Sequence, residues 1–255
     1  MKSTAILAGT IAAVLLPLGA VAQTILEQSG EHRYQLDFHV NDAALAKLLP
    51  SGWEPAIATE GPAKDCNLRL IFIDRLTIFG PDGKAAARHS SRSAILAIPV
   101  KQAATGSTGQ MIIDGITDDS SDASVWFGVP KPAKEAKAVR SLSSLNGVVT
   151  GQEDWVFSTA TGEHLSLHVE YEHGTPTQRT VETKFFNPAD PSRYLTSRTE
   201  QSLDIQRNAT THPTDHVRKF TYKAGGGHLA ALFDGHEKVL SWDLQPGYLA
   251  TVSAP

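Results

Sequence analysis

Cysteine occurs once in the 255 residues, as Cys66, which excludes an intrachain disulfide. The fold must therefore be held by its core, and a chain of this length is able to build one. Excess charge is also scarce. A formal net charge of −4 gives no electrostatic case for a nucleic acid or an anionic membrane surface as partner. Beyond the first residues no apolar run is long enough to cross a bilayer. Recognisable motifs are missing too. Gly225-Gly226-Gly227 lacks the Lys-Ser/Thr ending of a phosphate loop and reads as a flexible connection. There is no Gly-x-Ser-x-Gly elbow, and the loop histidines His212, His216, His228 and His236 show no zinc spacing. With no internal repeat, low-complexity tract or linker-like break, one domain is the expected count.

The N-terminus carries an address. Met1-Lys2 is a positive start, Ala5 to Val21 is apolar with a break at Pro17 and Gly19, and Ala20-Val21-Ala22 is a small-x-small cleavage site. This predicts a secretory signal peptide over 1–22, a mature single domain over 23–255 and a secreted or periplasmic location.

The rest is strand-rich. Arg33 to Val40 alternates Tyr34, Leu36, Phe38 and Val40 with polar partners, a strand with one buried face. Asn41 or Asp42 caps a helix over Ala43 to Leu49, stopped by Pro50-Ser51-Gly52. Asn67 to Ile73 and Ser93 to Val100 read as buried strands, Met111 to Ile113 as a short one. Ala133 to Arg140 has the composition of a short helix with Lys134, Lys137 and Arg140 on its solvated side. Further strands are expected over 155–157, 164–171, 180–186, 194–207, 217–222, 238–244 and 248–252, with a helical turn over 228–233. The pattern predicts a mainly β fold, a curled antiparallel sheet or β-barrel with a few short outer helices.

The stretch that draws attention is Ser124-Val125-Trp126-Phe127-Gly128-Val129-Pro130-Lys131-Pro132. Two prolines impose an extended backbone on either side of Lys131. A lysine kept dry by Trp126, Phe127 and Val129 would be a nucleophilic amine, as Schiff-base chemistry on a carbonyl requires. The plain alternative is a surface turn with a solvated lysine. On a strand, His164, Ser166, His168 and Glu170 share one face, either as a polar stripe towards solvent or as a chelating set. Cys66 has no activating base nearby and reads as a small residue near a strand start.

The order of these pieces resembles the acetoacetate decarboxylase-like superfamily. The resemblance runs through Leu48-Leu49-Pro50, Trp53-Glu54-Pro55, Ala97-Ile98-Pro99-Val100, Met111-Ile112-Ile113-Asp114 and Phe127-Gly128-Val129-Pro130-Lys131. In that family a Pro-Lys-Lys carries the imine-forming lysine. Lys131 falls on its first lysine and Pro132 on its second, so only desolvation remains to activate the amine. The acidic residue that the family carries before the Ile98-Pro99-Val100 strand is missing from Arg88-His89-Ser90-Ser91-Arg92-Ser93. The family's carboxylate-binding arginine has its nearest counterpart in Arg33.

The resemblance thus implies a lysine Schiff-base lyase, of decarboxylase or aldolase/dehydratase type, acting on a small keto acid or carbonyl compound. Lys131 would be the nucleophile, and Arg92 and Arg33 would meet the substrate carboxylate, with Arg69 and Arg75 behind Arg92. Trp126, Phe127 and Val129 would line the pocket. No metal or organic cofactor is called for, no membrane span remains once the leader is cut, and a homo-oligomer is left open. The two missing family residues favour an alternative, a lipocalin-like binding protein for a small apolar or carbonyl-bearing ligand.

Overall fold

The structure is a computed structural model that describes residues 23–119, 126–208 and 215–255. The expected leader, Ser124-Val125, His212 and the last two residues of Asn208-Ala209-Thr210, a sequence that fits a glycosylation sequon, lie outside the described residues. Seven long strands make a ring: β1 (Thr24–His39), β3 (Leu68–Phe79), β4 (Ser91–Gln102), β5 (Thr108–Thr117), β10 (Thr177–Phe186), β11 (Tyr194–Asn208) and β13 (Lys238–Ala254). Their order is β4-β3-β1-β13-β11-β10-β5, and β5 also pairs with β4, which closes the barrel. Every ring pairing is antiparallel except β10 with β5. That joint is parallel and has only two rungs, Phe185 with Gln110 and Phe186 with Met111. Two short strands, β2 (Trp53–Pro55) and β6 (Lys131–Pro132), extend β4 and β5.

A second, four-stranded antiparallel sheet covers one side of the barrel. It runs β12-β9-β8-β7, from β7 (Glu135–Leu145), β8 (Val148–Ser158), β9 (His164–Glu172) and β12 (Val217–Gly225). The main core lies between the two layers. Tyr34, Leu36 and Phe38 of β1, Leu70 and Phe72 of β3 and Leu244 of β13 meet Trp155, Phe157, Leu165, Leu167, Val169 and Tyr171. The alternation that marks these strands puts their other side chains inside the barrel. One half of that interior is apolar, formed by Ile71, Ile73, Ile95, Ala97, Ile112, Phe185, Leu195 and Val252.

The expected curled sheet or barrel with little helix is what forms. Helix α1 (Asp42–Ala46) is shorter than the expected Ala43 to Leu49, with Asn41 Oδ1 accepting from Ala44 N at 3.0 Å. The helix expected over Ala133 to Arg140 is instead the start of β7. A ladder with β8 runs from Glu135–Ser158 to Leu145–Val148, and Ala136 and Ala138 pack against the core. Tertiary pairing overrides the helical propensity of Ala, Lys and Glu. Arg140 is accordingly not on a solvated helix side; its Nη2 donates to Asp74 Oδ2 at 2.6 Å.

The expected flexible glycines are also packed. Gly226 has φ 83°, and a Cβ there would run into the Gly162 carbonyl. They lead into a 3-10 turn over Gly227–Ala231.

Candidate functional site

The polar half of the barrel interior encloses a cavity of about 320 Å³. β1 contributes Arg33, Gln35 and Asp37, β3 contributes Arg69, β10 contributes Arg179, β11 contributes Gln201, and β13 contributes Asp243 and Gln245. Side chains from so many strands of one closed ring meet only inside it. The cleft beside the two-rung joint shares Arg69, Gln110 and Thr183 with the cavity.

The charged residues are held in place. Asp37 Oδ1 accepts from Gln35 Nε2 at 2.9 Å and stands 3.4 Å from Arg69 Nε. Asp243 Oδ1 accepts from Ser241 Oγ at 2.6 Å. With its amide turned to satisfy both neighbours, Gln201 accepts from Arg179 Nε at 2.9 Å and donates to Gln245 Oε1 at 2.8 Å. Arg33 lies 3.5 Å from Glu31 and over the Tyr248 ring. Gln110 Oε1 and Arg33 Nε are buried without a hydrogen-bond partner among the described residues, polar capacity that a ligand can use.

Burial disfavours ionisation here. It raises the Asp37 carboxyl despite Arg69, and, with the Asp37 charge adding to it, pushes Asp243 up to about 7. Burial also pushes the Cys66 thiol up to about 12, which fits a structural cysteine and not a nucleophile.

Of the residues singled out in the sequence, Arg33 and Arg69 line this cavity. Arg92 does not. It sits at the barrel rim in a charged network, 3.3 Å from Asp118 and 3.6 Å from Asp74, because even-numbered positions of β4 point away from the barrel interior. Arg75 is buried in ion pairs with Glu27 and Glu31, as a structural ion pair requires. Trp126, Phe127 and Val129 pack into the apolar half of the barrel, with Trp126 edge-on to Phe185 at 5.2 Å.

Lys131 parts company with those three. The chain turns at Phe127 (φ 58°) and Gly128 (φ 74°), both in the left-handed region, before reaching β6. The Lys131 Nζ then lies in the seam between barrel and second sheet, 3.2 Å from Asp114 and 3.2 Å from Glu163. Hydrogen bonds from Thr159 and Thr161, before that from Lys131, hold the Glu163 carboxyl down to about 2. Lys131 is not among the residues that line the cavity.

The histidine stripe on β9 faces outward. His168 is engaged on both nitrogens, with Asp154 at 2.7 Å and Glu170 at 3.2 Å. No group of three or more His, Cys, Asp or Glu among the described residues is arranged to hold a metal ion.

Sequence reasoning missed Gln35, Asp37, Arg179, Gln201, Asp243 and Gln245. The signal was present in β1, where Arg33, Gln35 and Asp37 alternate with the core residues; the side they occupy looks like a solvent face until the ring closes.

No protein-family model matches the chain, and no curated protein matches it. Solved structures do. An acetoacetate decarboxylase-like enzyme from Sphingomonas wittichii RW1 superposes with a TM-score of 0.56 at 14% identity, covering 96% of this chain and 98% of that one. The enduracididine biosynthesis enzyme MppR with HEPES buffer bound gives 0.56 at 10% identity, covering 93% and 89%. MppR complexed with pyruvate gives 0.53 at 11% identity, covering 97% and 96%. The fold of this chain is the one these enzymes share.

Proposed function

We propose, with the acetoacetate decarboxylase-like fold as premise, that this chain is a divergent member of that superfamily and binds a small carboxylate of the keto-acid class inside its barrel. One observation carries the reading: Arg33, Arg69 and Arg179 converge on a cavity whose lining, among the described residues, holds two carboxyl groups, Asp37 and Asp243. A planar guanidinium pairs with a carboxylate through two parallel hydrogen bonds. The cavity volume, about 320 Å³, is at the lower end for ligand sites and suits a molecule of a few carbons. MppR, which has the same fold, was captured with pyruvate.

Calorimetry with pyruvate, acetoacetate and their methyl esters tests it. The acids should bind and the esters should not, and Arg179→Met should weaken acid binding at least tenfold, about 1.4 kcal/mol. Equal binding of acid and ester, or no binding of either, refutes the reading.

A lysine Schiff-base lyase built on Lys131 is the second reading. It is favoured by the partial burial of Lys131 between Asp114 and Glu163, two carboxylates within reach of its amine for proton transfer. Against it stands the separation of Lys131 from the cavity lining. Borohydride reduction with a keto-acid panel, read by mass spectrometry, decides: an adduct on Lys131 supports the imine, and a clean spectrum removes it. Export belongs to the same proposal. Residues 1–22 would be cleaved on secretion, and N-terminal sequencing of the secreted protein should begin at Gln23.

A further inference from the structure

The cavity holds more than a carboxylate clamp. On the inward faces of β1 and β13, Gln35 stands opposite Asp243 and Asp37 opposite Ser241, so the two carboxyl groups are diagonal neighbours on adjacent antiparallel strands. Such positions are about 7–8 Å apart on the sheet, close enough for both side chains to reach one small ligand. Each is anchored through Oδ1, Asp37 by Gln35 and Arg69 and Asp243 by Ser241. Arg69 and Arg179 supply the cationic field from β3 and β10, and Arg33 stands on β1 beyond Gln35.

We propose that Asp243, with Asp37 as its charged partner, moves a proton on and off the carbon beside the carbonyl of the bound keto acid, an enolisation that needs no lysine. The inference rests on the keto-acid reading above. With the ligand carboxylate on the arginines, the ionised Asp243 takes a proton from that carbon. The C–H bond breaks, its electron pair forms the C=C bond, and the carbonyl oxygen becomes an enolate stabilised by a guanidinium. The Asp243 carboxylic acid then returns a proton, from solvent once it has exchanged, to the same carbon. Nothing is oxidised or reduced and no co-reactant is consumed.

Two neighbouring buried carboxyls, where the charge on one disfavours ionisation of the other, are the usual equipment for such transfers. Burial and the Asp37 charge bring Asp243 to about 7, so both of its protonation states are populated near neutral pH. Arg69 and Arg179 act in the opposite direction, and Cys66, beside Arg69, stays protonated.

The experiment follows loss of the pyruvate methyl signal by proton NMR in D2O, with pyruvate binding measured in parallel by calorimetry. Exchange should exceed the buffer rate and rise as pD increases through about 7, as the base ionises. Asp243→Asn should lower exchange at least about 100-fold while pyruvate still binds. Asp243→Glu, which restores a carboxyl, should recover part of the rate and guards against a folding defect. Binding without exchange, or exchange indifferent to Asp243→Asn, overturns the proposal while the binding reading stands. Exchange that disappears in Lys131→Ala and persists in Asp243→Asn assigns the proton transfer to an imine and overturns it as well. Failure of pyruvate and acetoacetate to bind at all overturns both readings.

Discussion

Replacing Asp243 by Asn should stabilise the protein, and only above a certain pH. Asp243 is buried, and burial together with the Asp37 charge moves its carboxyl from 3.8 to about 7. A tenfold change in acidity is worth about 1.4 kcal/mol, so an ionised Asp243 costs the folded state about 4 kcal/mol relative to the same aspartate in the unfolded chain. Against a total stability of about 5–15 kcal/mol that is a large share.

The direction follows from proton counts. Between pH of about 4 and 7 the folded chain holds a proton on Asp243 that the unfolded chain has released, so stability falls as pH rises through that window. Below it both states are protonated, and above it both are ionised. Asn carries no charge and escapes the penalty. Urea unfolding followed by tryptophan fluorescence, for both proteins at pH 4 to 9, gives the difference, in which groups that do not interact with Asp243 cancel and its neighbour Asp37 adds to the change. It should be smallest at pH 4, grow in favour of Asp243→Asn towards about 1.4 kcal/mol for each tenfold fall in proton concentration, and level off above 7. A difference that does not vary with pH, or a variant less stable than wild type at pH 8, refutes the argument.

Glu153 should behave in the opposite sense. Burial alone would raise its carboxyl, but His32 at 2.8 Å, Tyr171 at 2.7 Å and Trp155 at 2.9 Å hold it below the usual range. Its stabilisation is therefore present above the unfolded carboxylate value and lost as pH falls through the depressed one. Glu153→Gln should cost about 3 kcal/mol at pH 7, shrinking in acid, by the same urea titration. Gly151→Ala drives a Cβ against Cζ of the Tyr171 ring on the neighbouring strand, and overpacking of this kind should lower stability by about 1–3 kcal/mol, visible as a drop in Tm.

The strands were legible in the sequence because alternation and β-branched runs report local backbone shape. What alternation does not report is which of two faces meets water. Arg33, Gln35 and Asp37 read as the outer side of a half-buried strand, yet they face the interior of a ring in which the pairs β1 with β13 and β5 with β10 join segments distant in sequence. Asp243 and Arg179 acquire meaning only once that ring exists. Ala133 to Arg140 misleads for the opposite reason, since local propensity speaks clearly there and the ladder with β8 outweighs it. The Lys131 stretch was legible as an unusual backbone, but its direction is fixed by positive φ at Phe127 and by Asp114 and Glu163, neither adjacent in the chain.

A hoop with one thin clasp opens there first. Six of the seven joints around this barrel are antiparallel ladders, whereas β10 meets β5 through two residue pairs, with Gly109 against the Lys184 carbonyl where any larger residue would prise them apart. Unfastening those few hydrogen bonds would loosen the ring beside the arginines and leave the ladders of the second sheet untouched. Amide exchange at 110–111 and 185–186 should then run ahead of the other ring joints and slow when an acid occupies the interior, making admission of a guest a property of the weakest weld.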